Sequence, residues 1–97
     1  ALPIYLHTKR NSYFVCTRGK VVFILKEKSG TYIEVESSEL KPVLVYVPKG
    51  IPSAHIGISS SISSVLAIAD LAWHPNDNEM KNVTFTDYNW NKWNNLK

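Results

Sequence analysis

An all-β fold, an antiparallel sandwich or barrel, is predicted by three observations. Short runs of β-branched and aromatic residues recur at intervals of about eight to twelve residues. Glycine- or proline-centred corners separate them, and no amphipathic helical stretch of about ten residues stands out before the C-terminus. The 97 residues suit one domain, expected over 1–97, with three Trp, five Tyr and three Phe as large core pieces.

Residues 1–7 alternate weakly and read as a strand ending at His7, followed by a polar turn at Lys9-Arg10-Asn11. Residues 12–17 (S-Y-F-V-C-T) form the next strand, Arg18-Gly19-Lys20 a corner, and 21–25 (V-V-F-I-L) a third strand. Lys28-Ser29-Gly30 turns the chain into 31–36 (T-Y-I-E-V-E), whose clean alternation suits a half-exposed antiparallel strand. Residues 37–41 read as a loop. Residues 43–47 and 53–58 are the arms of a corner at Pro48-Lys49-Gly50, where proline presets φ and glycine accepts positive φ. Residues 64–69 form a further strand and 82–85 a last one, and 87–97 is an Asn- and Trp-containing tail.

Composition narrows the function classes. Cys16 stands alone, so no intrachain disulfide forms, and a reducing, cytoplasmic setting is expected. No window reaches the roughly 18 to 20 apolar residues of a membrane helix. The chain enters an apolar run at Ala1, so a segment upstream is expected. The net charge of +3 concentrates early: Lys9, Arg10, Arg18, Lys20, Lys26 and Lys28 face only Glu27 among the first thirty residues. That bias favours an anionic small-molecule partner or a solvated basic face. Without an RNP, zinc-finger or helix-turn-helix pattern it does not favour nucleic acid.

The corner V-P-K-G-I-P at 47–52 resembles the second motif of the cupin superfamily, and the strands from about Tyr5 to Trp90 resemble one cupin jelly-roll. Leu6-His7, the R-G-K-V corner at 18–21, V-Y-V-P-K-G-I-P, the run L-A-W-H-P-N-D-N-E and the later D-Y-N-W are similar to one group within it. These are the metal-free epimerases and ketoisomerases of dTDP-4-keto-sugars. With Gly19 as the first-motif glycine, the resemblance puts His7 and Tyr5 at the two histidine positions and Ser12 at the glutamate. Ser53 then falls at the second-motif histidine, with His55 two residues on and on the same strand face. Of the four usual metal ligands only His7 matches in register, with His55 displaced, so no metal and no cofactor are expected.

The resemblance implies His7 as a proton-abstracting base, a task that suits imidazole. Trp73 stands where the pattern puts its tyrosine acid, and an indole N–H does not serve in that way. Tyr5, Tyr13 or Tyr46 would stand in, with Tyr5 the catalytic candidate. Lys9, Arg10 and Arg18 are candidates for holding a diphosphate, since guanidinium and ammonium groups suit phosphate oxygens. Ser12, Ser53, His55 and Trp73 complete the expected binding set. Three readings follow: an epimerase- or isomerase-like enzyme on a nucleotide-activated keto-sugar, a non-catalytic sugar- or ligand-binding cupin, and an assembly protein with a filled barrel. A homodimer is expected, because a short chain gains by covering exposed strands with a second copy.

Overall fold

The computed structural model describes residues 4–60, 62–70 and 79–96. Eight strands follow in order: β1 (Tyr5–His7), β2 (Ser12–Arg18), β3 (Lys20–Lys26), β4 (Tyr32–Ser38), β5 (Val45–Val47), β6 (Ser53–Gly57), β7 (Ser64–Ala69) and β8 (Met80–Asn82). A 3₁₀ helix, Trp90–Leu96, lies near the C-terminus. The strands form a five-stranded sheet, β4-β3-β6-β1-β8, and a three-stranded sheet, β5-β2-β7. All pairings are antiparallel. The two sheets face each other as a sandwich, the all-β class expected and a topology consistent with a cupin-type fold.

Strand β3 explains the layering. Its run K-V-V-F-I-L-K is buried from Val21 to Leu25, the signature of a strand covered on both faces. Val21, Phe23 and Leu25 point between the sheets, where they meet Cys16, Val45 and Val47. Val22 and Ile24 point outward and join Ile4, Ala54, Ile56, Ile58 and Phe85. That second cluster is roofed by the chain's own end, through Val83, Tyr88, Trp90 and Trp93. Hydrogen bonds tie the roof down: Tyr32 donates to Asp87, Tyr88 to Glu34, and Trp93 Nε1 to the Tyr88 hydroxyl at 2.7 Å. Lys92 Nζ lies 2.9 Å from both Glu34 oxygens. The Tyr88 phenol is pushed up to about 12 by burial and by Glu34, so it remains a donor across the ordinary pH range.

Strands β4, β5 and β8 depart from expectation by two residues or more, each for a tertiary reason. Strand β4 runs on to Ser38, because Ser37 is buried and its hydroxyl joins three backbone groups. It donates to the Val43 carbonyl at 3.0 Å and accepts from the Val43 and Cys16 amides at 3.0 and 3.1 Å. That side-chain bridge replaces a ladder at Val43, and β5 begins only at Val45. Strand β8 occupies Met80–Asn82 because those residues pair with β1, leaving Val83 and Phe85 to turn onto the outer cluster.

Both glycine corners carry the chain from one sheet to the other. At Pro48-Lys49-Gly50 the Ile51 amide bonds the Pro48 carbonyl at 3.2 Å and Gly50 has φ 82°, the glycine position of a type II turn. At Gly19, φ is 76°, and an added Cβ would sit 2.5 Å from Ser63 Oγ and 3.1 Å from Ser63 Cα. Gly19→Ala is therefore expected to cost about 1–3 kcal/mol, read as a lower urea midpoint with an unchanged slope. An unchanged midpoint would show that the corner relaxes freely.

Candidate functional site

The short strand β1 is held between β6 and β8, with Tyr5 opposite both Ser53 and Asn82. The His7 carbonyl accepts from the Gly50 amide at 2.8 Å, so the type II corner fixes the end of β1. One residue on, the Thr8 amide and hydroxyl both donate to the Glu79 carbonyl, at 2.7 and 2.8 Å. These bonds bring the Glu79 side chain back over His7.

The Glu79 carboxylate is only 3% exposed and gathers a polar cluster around it. His7 Nδ1 lies 2.9 and 3.1 Å from its two oxygens. Arg10 Nε approaches Oε1 to 2.8 Å as an ion pair without a well-aligned hydrogen bond. The Lys9 amide reaches Oε2 at 3.4 Å. Burial pushes the Glu79 carboxyl up. The His7 hydrogen bond, the Lys9 amide and the charges of His7 and Arg10 outweigh it, and the net pKa lies below the usual glutamate value. An ionised carboxylate only accepts hydrogen bonds, so Nδ1 must carry the hydrogen. In the neutral ring the lone pair is then on Nε2, the arrangement a general base needs.

The register shows which other expected residues join this site. Ser53 and His55 lie opposite Leu25 and Phe23, so both face the space between the sheets. Tyr5, paired with Ser53, shares that face, and so by alternation does His7. Ser12 is buried at the start of β2, opposite Val47 and Ala69 at the ends of β5 and β7. Tyr5, His7, Ser12 and Ser53 thus occupy one end of the sandwich. Asn11 latches that end: it donates to Asp70 at 2.9 and 2.7 Å and accepts from the Lys49 amide at 2.9 Å.

His55 belongs to the other end. From the Tyr5–Ser53 pair, His7 and His55 lie two residues away in opposite directions, about 13 Å apart along the strands. His55 instead lines a cavity of about 480 Å³ with Phe14, Val21, Gly57, Ser59, Ser63, Val65 and Ala67. Its ring lies 5.8 Å from that of Phe23, and partial burial pushes its pKa below the ordinary histidine value. The interior is filled beside β5 and the Phe23–Leu25 part of β3 but open between β6 and β7, where small side chains such as Ala67 leave room.

The expected basic group does not act as one unit. Arg10 is committed to Glu79, with Lys9 beside it. Arg18 is exposed at the far end of β2, six residues beyond Ser12 and about 20 Å from the His7 end. One diphosphate cannot bridge all three. Trp73 and His74 lie outside the described residues. Glu79 went unassigned in the sequence reading, although it closes the L-A-W-H-P-N-D-N-E run; its signal there is only a carboxylate ahead of a short strand.

A model of the family described as WxcM-like, C-terminal (FdtA) matches residues 4–90. No curated protein and no solved structure matches the chain. The match spans both glycine corners, the His7 strand and the C-terminal roof as far as Trp90, and it agrees with the sandwich topology. The chain belongs to the WxcM-like C-terminal family, cupin-like domains of dTDP-sugar epimerase- and isomerase-type enzymes.

Proposed function

We propose that this chain is a sugar-modifying cupin that moves a proton next to the ketone of a nucleotide-activated keto-sugar, with His7 as the base. The observation that carries this reading is the buried Glu79 carboxylate on His7 Nδ1. In the forward step the C–H bond adjacent to the carbonyl breaks. Its electron pair passes into the enolate and its proton goes to His7 Nε2. Glu79 stabilises the imidazolium that forms, and Arg10 keeps the carboxylate ionised. Tyr5, on the same strand face, is the candidate donor that returns a proton. Ser12 and Ser53 offer hydroxyls to the sugar, and Lys9 stands at this end for the diphosphate.

Glu79→Gln tests the reading. The amide holds no charge and no longer enforces the Nδ1–H tautomer, so kcat is expected to fall about 10²-fold or more while KM changes little. Activity is read as solvent deuterium entering a dTDP-4-keto-sugar, with circular dichroism as the check on fold. Full deuterium incorporation by a folded Glu79→Gln variant would remove Glu79 from the mechanism.

The open cavity around His55 favours a second reading, a cupin that binds a sugar without turning it over. In that case nucleotide sugars raise the melting temperature, by up to about 2.7 kcal/mol of stability at 100 times Kd, yet no deuterium is incorporated. The His7→Ala variant would then keep the full thermal shift.

A further inference from the structure

The substrate of the proposed reaction has three parts, and the His7 end accounts for two of them. The keto-sugar meets His7, and the diphosphate meets Lys9. The nucleoside, uncharged and built of rings, is left to be placed. About 13 Å along the strands from His7 lies the cavity of about 480 Å³ around His55. An open side of the sandwich joins the two. On β7, Ala67 and Ala69 lie opposite Phe14 and Ser12, and alternation turns their side chains towards the other sheet. Both are nevertheless exposed, so the space between the sheets is open along β7 from the cavity to the Ser12 end. We infer that the His55 cavity is the nucleobase subsite of this substrate. The inference rests on the catalytic reading for the position of the sugar.

Three features of the cavity select a base as its occupant. The first is charge. None of the lining residues is Lys, Arg, Asp or Glu, so a phosphate would lose water there without gaining an ionic partner, whereas an uncharged ring would not. The second is the wall. The Phe14 and Phe23 rings stack with centroids 5.8 Å apart, and the His55 ring stands 5.8 Å from that of Phe23. Phe14 and His55 both line the cavity, which therefore offers aromatic surface on which a base stacks. The third is hydrogen bonding. The His55 imidazole makes no hydrogen bond among the described residues, and its ring contact with Phe23 leaves both nitrogens available. The Ser59 and Ser63 hydroxyls, 3.1 Å apart, stand on the same cavity wall. The edge of a base carries donors and acceptors that suit such groups, while a hydrocarbon ring or lipid tail would leave them unpaired. The volume, too, lies within the range of small-molecule sites.

Isothermal titration calorimetry of the intact chain with dTDP, inorganic pyrophosphate and glucose tests it. The wild type is expected to bind dTDP at least about tenfold more tightly than pyrophosphate, which lacks the nucleoside. His55→Ala is expected to weaken dTDP about tenfold and to leave pyrophosphate unchanged. Ala67→Phe, which sets a ring into the open side, is expected to abolish the difference between the two ligands. Both positions are exposed, and circular dichroism checks each fold; should one variant not fold, the other carries the comparison. A wild type that binds dTDP no better than pyrophosphate overturns the inference. So do folded variants that keep wild-type affinity for dTDP, because the base then lies elsewhere. Glucose binding that Ala67→Phe removes also overturns it, in favour of a sugar in this cavity. Turnover is not the readout, so the two readings fail separately. A chain that binds dTDP through His55 yet incorporates no deuterium sinks the catalytic reading alone. One that incorporates deuterium but binds dTDP equally well after both substitutions sinks the subsite alone.

Discussion

Phe85→Ala is expected to remove about 3–5 kcal/mol of folding stability, a large fraction of what a chain of this size has. Phe85 is 5% exposed, although it lies in a segment with no strand of its own. Its ring stacks on Trp90 at 6.1 Å and meets Tyr32 edge-on at 5.1 Å. Beneath it are Val22, Ile24 and Ile56, the outward side chains of β3 and β6. Truncation leaves a cavity that β3 cannot fill, because its inward side chains are already packed against the other sheet. The polar ties of the roof hang over the same cavity, so their loss adds to the cost. Urea unfolding measures it: the midpoint should fall steeply, while Leu66→Ala, at a half-exposed position on the opposite face, should shift it little. A loss below about 1 kcal/mol for Phe85→Ala would mean that the C-terminal residues do not close a core.

His7→Ala is expected to lower turnover of a dTDP-4-keto-sugar by about 10²- to 10⁴-fold, the usual worth of a positioned acid–base group. The side chain is partly buried, and its Nδ1 is held 2.9 Å from a carboxylate that is almost wholly withdrawn from water. A surface histidine has no use for such an arrangement. Removing the ring also strips Glu79 of the hydrogen bond from His7 Nδ1 and leaves the Arg10 ion pair to compensate it. Some loss of stability should therefore accompany the loss of activity. His7→Gln separates the two effects. Its side-chain amide can still donate to Glu79, so folding should recover, but it carries no base and turnover should not. Steady-state kinetics beside thermal melts decide the matter, and His7→Gln with wild-type kcat would end the role proposed for this residue.

Much of the fold was legible from one end of the chain to the other because the signals are local. Alternation of side chains along 31–36, the continuous apolar run 21–25 and the glycine corners depend only on backbone preferences of neighbouring residues. They place the β3 and β4 strands, the sheet-to-sheet corners and the family resemblance on firm residues. The family resemblance puts Tyr5, Ser12 and Ser53 at site positions, and the register brings those positions to the same end as His7.

The rest was decided at long range. Glu79 reaches His7 across 72 positions of sequence, and no local pattern around either residue announces the other. The same holds for the end of β4, where a buried serine hydroxyl, not strand periodicity, sets the boundary. Lys9, Arg10 and Arg18 look like one cluster in the sequence. An extended strand carries the last of them to the far end of the sandwich. Residue order alone determined an all-β chain with its corners and its candidate base. Only the tertiary structure decided which carboxylate holds that base, which face the C-terminal aromatics roof and which face stays uncovered among the described residues. Strand formation follows from neighbours a few residues apart, whereas those three outcomes depend on how the two sheets are stacked and which segment returns to cover them.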